Sequence, residues 1–140
     1  MSVDDAVTSR PAPEVTKHAA PFWAAARERR LVIQHCSKCG QYQHYPRPWC
    51  TNCLNDNLEF VDSPGLGTIY TFTVIRRAAN PAFAGRVPYV LAFVDLDEGV
   101  RFVSNIVDCD PDAIAIGQRV QARFEDVDDE HTVVLFAPVA

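Results

Sequence analysis

Hydrophobic and polar positions change rhythm around residue 60 of this 140-residue chain. Beyond it, runs of β-branched and aromatic residues alternate with turn residues, the signature of strands. Residues 68–75, 89–96, 100–107, 118–126 and 131–137 read as five strands. Asp97-Glu98-Gly99 and Asp128-Asp129-Glu130 read as tight turns, and residues 76–88 as a loop. Residues 110–117 carry an aspartate cap, a proline in first position and a terminal glycine, so one or two helical turns are expected there. Three meandering strands, a helical segment and a hairpin form the order of a five-stranded OB-fold barrel, whose long first strand bends to serve both sheets. A sandwich-like β domain is the alternative from pattern alone.

The first half is built differently. Residues 21–30 predict a short helix, with proline in its first turn, alanines inside it and arginines at its end. Phe22, Trp23 and Ala26 form its apolar stripe. A helix this short is not stable alone, so it docks on its own chain or on a partner. Residues 31–35 predict a strand, residues 41–45 a return strand, and residues 58–62 a short strand or linker. Gly65-Leu66-Gly67 sits in a turn and is too weak a signal for a phosphate loop. The expected organisation is a flexible tail over 1–12, helix and ribbon over 13–58, and the barrel over 59–140.

The ribbon reading comes from Cys36-Ser37-Lys38-Cys39-Gly40 and Trp49-Cys50-Thr51-Asn52-Cys53. Two residues between paired cysteines let one turn aim both sulfurs at one point, with backbone amides donating to the thiolates. Two such knuckles on a short hairpin place four thiolates in a tetrahedron, the preferred shell of structural zinc. Iron in a rubredoxin-type site uses the same ligands. Two disulfides are the remaining alternative, disfavoured because nothing suggests an oxidising compartment. His35 and His44 are read as surface or outer-layer residues beside the metal.

Charge narrows the function. The chain carries net −5, and residues 59–140 hold thirteen acids against six basic residues. A nucleic-acid-binding ribbon/OB module is therefore only an alternative, because the loop with Glu125, Asp126, Asp128, Asp129 and Glu130 repels phosphate backbones. Arg76, Arg77 and Arg86 make a small basic mouth near Phe83 and Tyr89, suited to one compact anionic, nucleotide-like ligand. Solvated or internally paired arginines are the bland reading. Cys109 lies between Asp108 and Asp110, which raise its thiol pKa, so it is no nucleophile. No catalytic constellation is visible. No run approaches the ~20 apolar residues that span a membrane. The first residues lack a signal pattern, so a cytoplasmic protein with reduced thiols is expected.

An ordered series of motifs carries a resemblance: Phe22-Trp23, Leu31-x-x-Gln34-x-Cys36-x-x-Cys39-Gly40, Pro46-Arg47-x-x-Cys50-x-x-Cys53, Gly65-x-Gly67-x-Ile69-Tyr70-x-Phe72-Thr73, Pro88-Tyr89-x-x-Ala92-x-Val94-x-Leu96-x-Glu98-Gly99-x-Arg101, and Ile116-Gly117-x-x-Val120. Over residues 13–137 the chain resembles the zinc-ribbon/OB-fold acyl-CoA-associated family. The resemblance implies an N-terminal helix, a rubredoxin-like ribbon with zinc on Cys36, Cys39, Cys50 and Cys53, and an OB barrel. It also implies a non-catalytic subunit in a hetero-oligomer. The partner would be a thiolase or a thiolase-like aldolase of the sterol carrier protein type, or a hydratase, acting on acyl-CoA thioesters in steroid side-chain or lipid breakdown. Phe22, Trp23, Tyr42, Tyr45 and Trp49 are then the expected docking anchors, and Arg76, Arg77 and Arg86 the expected contacts for CoA phosphates.

Overall fold

The computed structural model describes residues 10–139. Among these residues there are one helix, α1 (Ala20–Arg27), and eight strands: β1 (Leu31–Cys36), β2 (Tyr42–Gln43), β3 (Leu58–Ser63), β4 (Leu66–Ile75), β5 (Tyr89–Leu96), β6 (Arg101–Ile106), β7 (Arg119–Asp126) and β8 (Thr132–Pro138). A short 3-10 turn, Pro81–Phe83, interrupts the loop between β4 and β5.

α1 has Pro21 in its first turn and Arg27 in its last, and it stops earlier than expected. Arg29 turns the chain through positive φ (62°), and the Arg30 amide bonds back to the Ala25 carbonyl. The Arg29 guanidinium reaches both carboxylate oxygens of Asp126, at 2.8 and 2.9 Å, which ties this turn to β7. β1 is the centre of a three-stranded antiparallel sheet in the order β2-β1-β3. β3 is a full strand, paired with β1 from Leu31↔Ser63 to Cys36↔Leu58, and crosses the boundary expected at residue 58. The return strand is only two residues long, because the chain after Gln43 leaves the sheet to cover the barrel.

β4 to β8 close into a barrel in the order β4-β5-β6-β8-β7, the OB-fold arrangement. β4 is ten residues long and bulges between Ile69 and Thr71, so its start pairs with β7 and its length with β5. The ring closes through one parallel pair, Ile106↔Phe136. The strand runs expected from the sequence match within two residues.

The 110–117 segment does not form the expected helical turns. Asp110 accepts bonds from the amides of Asp112 and Ala113, giving a single turn. Ile114 is then buried in the core, and the Gly117 amide bonds the Ile69 carbonyl at the β4 bulge. Tertiary pairing overrides the local helix signal.

Gly65 and Gly67 have a packing reason instead of a phosphate-binding one. Gly65 has φ +72°, and a Cβ there would lie 2.7 Å from the Ala122 Cβ. A Cβ on Gly67 would lie 2.6 Å from the Asp95 carbonyl oxygen. Both positions let the link from ribbon to barrel press against neighbouring strands.

The core is continuous across both halves. Phe22, Ala25 and Ala26 of α1 and Leu31, Val32 and Ile33 of β1 join Ile69, Val94, Phe102, Val120 and Phe136 of the barrel in one cluster. The helix therefore docks on its own chain. Phe22, expected to anchor a partner, is 3% exposed and faces Phe102 at 6.3 Å. Phe22→Ala should lower the unfolding free energy by about 3–5 kcal/mol, read as a lower urea midpoint at saturating zinc.

Candidate metal centre and the cleft on the barrel

The four cysteines converge at the ribbon tip, with all Sγ atoms within 4.8 Å of one another. Cys36–Cys53 and Cys39–Cys50 are 3.6 Å apart, sulfur to sulfur. A disulfide is about 2.05 Å, so the disulfide reading is excluded. Tetrahedral zinc with Zn–S near 2.3 Å puts its sulfurs about 3.8 Å apart, which these distances fit. The Cys39 amide donates to Cys36 Sγ at 3.5 Å, and the Asn52 amide to Cys50 Sγ at 3.4 Å. Asn55 Nδ2 donates to Cys36 Sγ at 3.6 Å. These donors, led by the Cys39 amide, bring the Cys36 thiol down to about 6. Cys36 and Cys50 are buried, and Gly40 turns the first knuckle at φ +79°. Cys36, Cys39, Cys50 and Cys53 thus form a zinc site. Zinc held by four thiolates has a closed shell, so its role is structural.

Two buried glutamines position the second knuckle. Gln34 and Gln43 are opposite one another in the β1–β2 pair. Gln43 Nε2 donates to Gln34 Oε1 at 2.8 Å. Gln34 also accepts from the Arg47 amide and donates to its carbonyl, both at 2.9 Å. Gln43 accepts from the Thr51 amide at 2.9 Å and donates to the Trp49 carbonyl at 3.2 Å. The Trp49 backbone is therefore fixed while its ring is 54% exposed. Tyr42 is also exposed, against His35 at 4.7 Å, and His35 Nδ1 is 2.9 Å from Glu59.

His44 is not beside the metal. Its ring stacks on Phe102 at 3.6 Å, 10° from parallel, and also meets Phe22 and Tyr45. Burial pushes its pKa down to about 3, so it stays neutral. Trp23 is half-buried, and its Nε1 donates to the Tyr45 hydroxyl at 2.8 Å. These residues line an apolar cleft of about 370 Å³ together with Leu91, Val103, Val134 and Arg10. Leu91, Phe93 and Val103 lie exposed on the outer barrel face, with Tyr70 capped by Arg101 at 3.7 Å. Sequence reading missed this face. Its signal was apolar residues at both the inward and the outward positions of β5.

The expected basic mouth divides. Arg76 bonds Asp112 at 2.7 Å and Arg77 is exposed. Arg86 turns the other way, 3.6 Å from Glu125, where Arg10 joins it. Arg10 fell in the expected tail and was not singled out. Residues 1–9 lie outside the described residues. The acidic loop is partly neutralised. Asp126 is held well below the usual carboxylate range by Arg29 and Thr132, and Asp128 is lowered by the Glu130 amide and by His131. Cys109 is half-buried, its thiol raised by burial and then by Asp110 and Asp108, as expected.

Two outcomes follow. A strong chelator should release one zinc per chain and remove amide protection in residues 36–55, while Cys39→Ser should lower the zinc content measured by metal analysis. The His44 effect runs through acid. Unfolded histidine titrates near ~6.5, whereas His44 titrates at about 3 when folded. Between those values the unfolded state binds more protons, so stability falls as pH falls. His44→Phe keeps the stack and should flatten that slope in parallel unfolding curves from pH 7 to 4.

Comparison with known proteins matches the same two parts. The family descriptions "ChsH2, rubredoxin-like zinc ribbon domain" and "ChsH2, C-terminal OB-fold domain" match residues 23–59 and 60–125. The chain is 39% identical over 129 residues, 92% of its length, to a probable enoyl-CoA hydratase alpha subunit of Thermomonospora curvata. It spans only 40% of that protein. It is 35% identical to a DUF35 domain-containing scaffold protein of Methanocaldococcus jannaschii, covering 76% of this chain and 79% of that protein. A solved chain of an Ltp2-ChsH2(DUF35) aldolase superposes with TM-score 0.83 and 38% identity, over 91% of this chain and 99% of that one. With both halves matched in order and the four cysteines in place, the chain belongs to the DUF35 family of ChsH2-type zinc-ribbon/OB-fold proteins.

Proposed function

We propose that this chain is a non-catalytic accessory subunit that supports a thiolase-fold partner acting on acyl-CoA thioesters. The observation that carries this reading is the likeness to the DUF35 chain of an aldolase complex, which runs over almost the whole of both chains. The ribbon supports it physically. Trp49 presents an exposed ring on a backbone held by buried Gln43, so little freedom is lost on docking. Aromatic residues on rigid backbone are common interface hot spots. Tyr42 is also exposed on the ribbon, and Trp23 and Tyr45 line the cleft, so four of the five anchors expected from sequence remain available. Phe22 is excluded by its burial.

In this reading the partner supplies the catalytic residues and the subunit supplies a docking face. Retro-aldol cleavage of a steroid side-chain or related lipid acyl-CoA is the finer form of the proposal. Of the three arginines expected to contact CoA phosphates, Arg76 is paired with Asp112 and Arg77 lines no hollow with Arg86, so Arg86 is the one that offers positive charge to a phosphate.

The test is affinity capture of the tagged chain from its native cells. A thiolase-fold subunit should co-purify in near-equal amount. Trp49→Ala should weaken that association at least about tenfold, the effect of losing ~1.4 kcal/mol, with zinc content unchanged. Full retention by Trp49→Ala would remove the ribbon as the docking face.

A further inference from the structure

Arg10 and Arg86 are arranged in an unusual way. They approach one carboxylate, Glu125: Arg10 Nε at 3.2 Å from Oε2 and Arg86 Nη1 at 3.6 Å from Oε1. The Arg10 approach is not aligned for a hydrogen bond. Both Nε atoms are buried, and neither has a hydrogen-bond partner among the described residues. The Arg10 side chain is 13% exposed and the Arg86 side chain 32%. Two guanidinium groups thus share one carboxylate in a half-dry place. Burial lowers the Arg10 pKa, Glu125 raises it, and Arg86 lowers it further. Buried donors left unsatisfied are costly, more so on charged groups.

Everything else about Arg10 is built. Its Nη1 donates to Asn105 Oδ1 at 2.8 Å, and its guanidinium lies over the Phe83 ring at 5.6 Å. Asn105 is itself fixed, donating to the Val90 carbonyl at 3.0 Å. Phe83 and Tyr89 form an aromatic pair at 5.4 Å beside the two arginines. The arginines stand between two hollows, one of about 290 Å³ that Arg123 and Asp108 also line, 3.9 Å apart, and one of about 320 Å³ that Phe83 and Tyr89 line. Counting Arg10, Arg86 and Arg123 against Glu125 and Asp108, the first hollow is positive, inside a barrel domain that is otherwise acidic.

We propose that Arg10 and Arg86 form a binding site for an oxyanion, a phosphate monoester or a carboxylate, carried on a flat body that lies along Phe83 and Tyr89. Turning of the two guanidiniums toward a second set of oxygens gives their buried Nε donors in-line acceptors, which Glu125, 3.2 Å from Arg10 Nε but out of line, does not supply. These oxygens also balance the surplus positive charge, and a planar guanidinium suits them better than an ammonium does. Arg10 brings the segment before α1 into the site, so the site joins the start of the described chain to β7, which supplies Glu125. The source of the oxyanion rests on the acyl-CoA reading above, in which a phosphate ester is the natural candidate. The site itself does not depend on it.

The experiment uses the isolated, zinc-loaded chain at fixed ionic strength. The ¹H–¹⁵N signals of the arginine Nε–Hε groups are followed while phenyl phosphate, benzoate or inorganic phosphate is added. Saturable shifts of the Arg10 and Arg86 signals are expected with phenyl phosphate or benzoate, and weaker binding with inorganic phosphate, which has no flat body. Saturation by phenyl phosphate but not benzoate assigns a phosphate ester, and the reverse a carboxylate. Arg86→Gln should weaken binding at least about tenfold, as loss of a charge-assisted hydrogen bond does. Arg77→Gln, which removes an equal charge from an exposed arginine that lines neither hollow, should not. An unchanged backbone amide spectrum shows that the variants are folded. No saturable shift with any probe, or equal weakening by both variants, overturns the site. A negative result with partner capture intact removes this site alone, and a positive one with capture lost leaves it standing without the accessory-subunit reading.

Discussion

The structure depends on one constraint: the ribbon cannot bury its own apolar residues. Leu31, Val32 and Ile33 of β1 are almost fully buried, yet the ribbon sheet has only two neighbouring strands, one of them two residues long. Zinc organises the tip, where the cysteines are, but offers nothing to these side chains. They are covered by the barrel and by α1, so metal-held and core-held halves become one body. Four thiolates hold the tip, and roughly 25 cal/mol per Å² of buried apolar surface holds the base.

The same constraint gives the short helix its place. α1 is too brief to persist alone, and its buried face, Phe22, Ala25 and Ala26, fills the angle between β1 and the barrel. Arg29 and Arg30 then pin its end to Asp126 and Asp62, one on each half. His44 completes the join from the ribbon side. A neutral imidazole there is a flat filler over Phe102, held neutral by burial and not by any charged partner.

Much of this was legible in the sequence where the information is local. Paired cysteines with two residues between them mark the metal ligands, and strand runs bounded by turn residues mark the barrel. What was not legible depends on distant partners. Arg10 meets Asn105, 95 residues away, and nothing near Arg10 foretells it. Arg76 and Arg86 look alike in sequence, but the loop sends one to Asp112 and the other to Glu125. Residues 110–117 carry sound local helix signals, yet Ile114 is required in the core and Gly117 at the β4 bulge. The stripe Phe22/Trp23 was correctly apolar, but pattern alone does not separate a ring packed inward from one left at a cleft wall.

The barrel's closure has a dynamic side. β6 and β8 meet in a single strand pair, Ile106↔Phe136, reinforced by the Val107 amide on the Phe136 carbonyl and by the Ser104 hydroxyl on the Val134 carbonyl at 2.8 Å. Every other junction of the ring has at least three paired residues. Thermal breathing of the cylinder therefore starts at this seam, where few bonds must part together. The cleft lined by Trp23, His44 and Tyr45 is also lined by Ser104 of β6 and Val134 of β8, next to this seam. Whatever settles in that cleft acts as a clasp across the slit, stiffening the barrel by bridging two strands that scarcely hold each other.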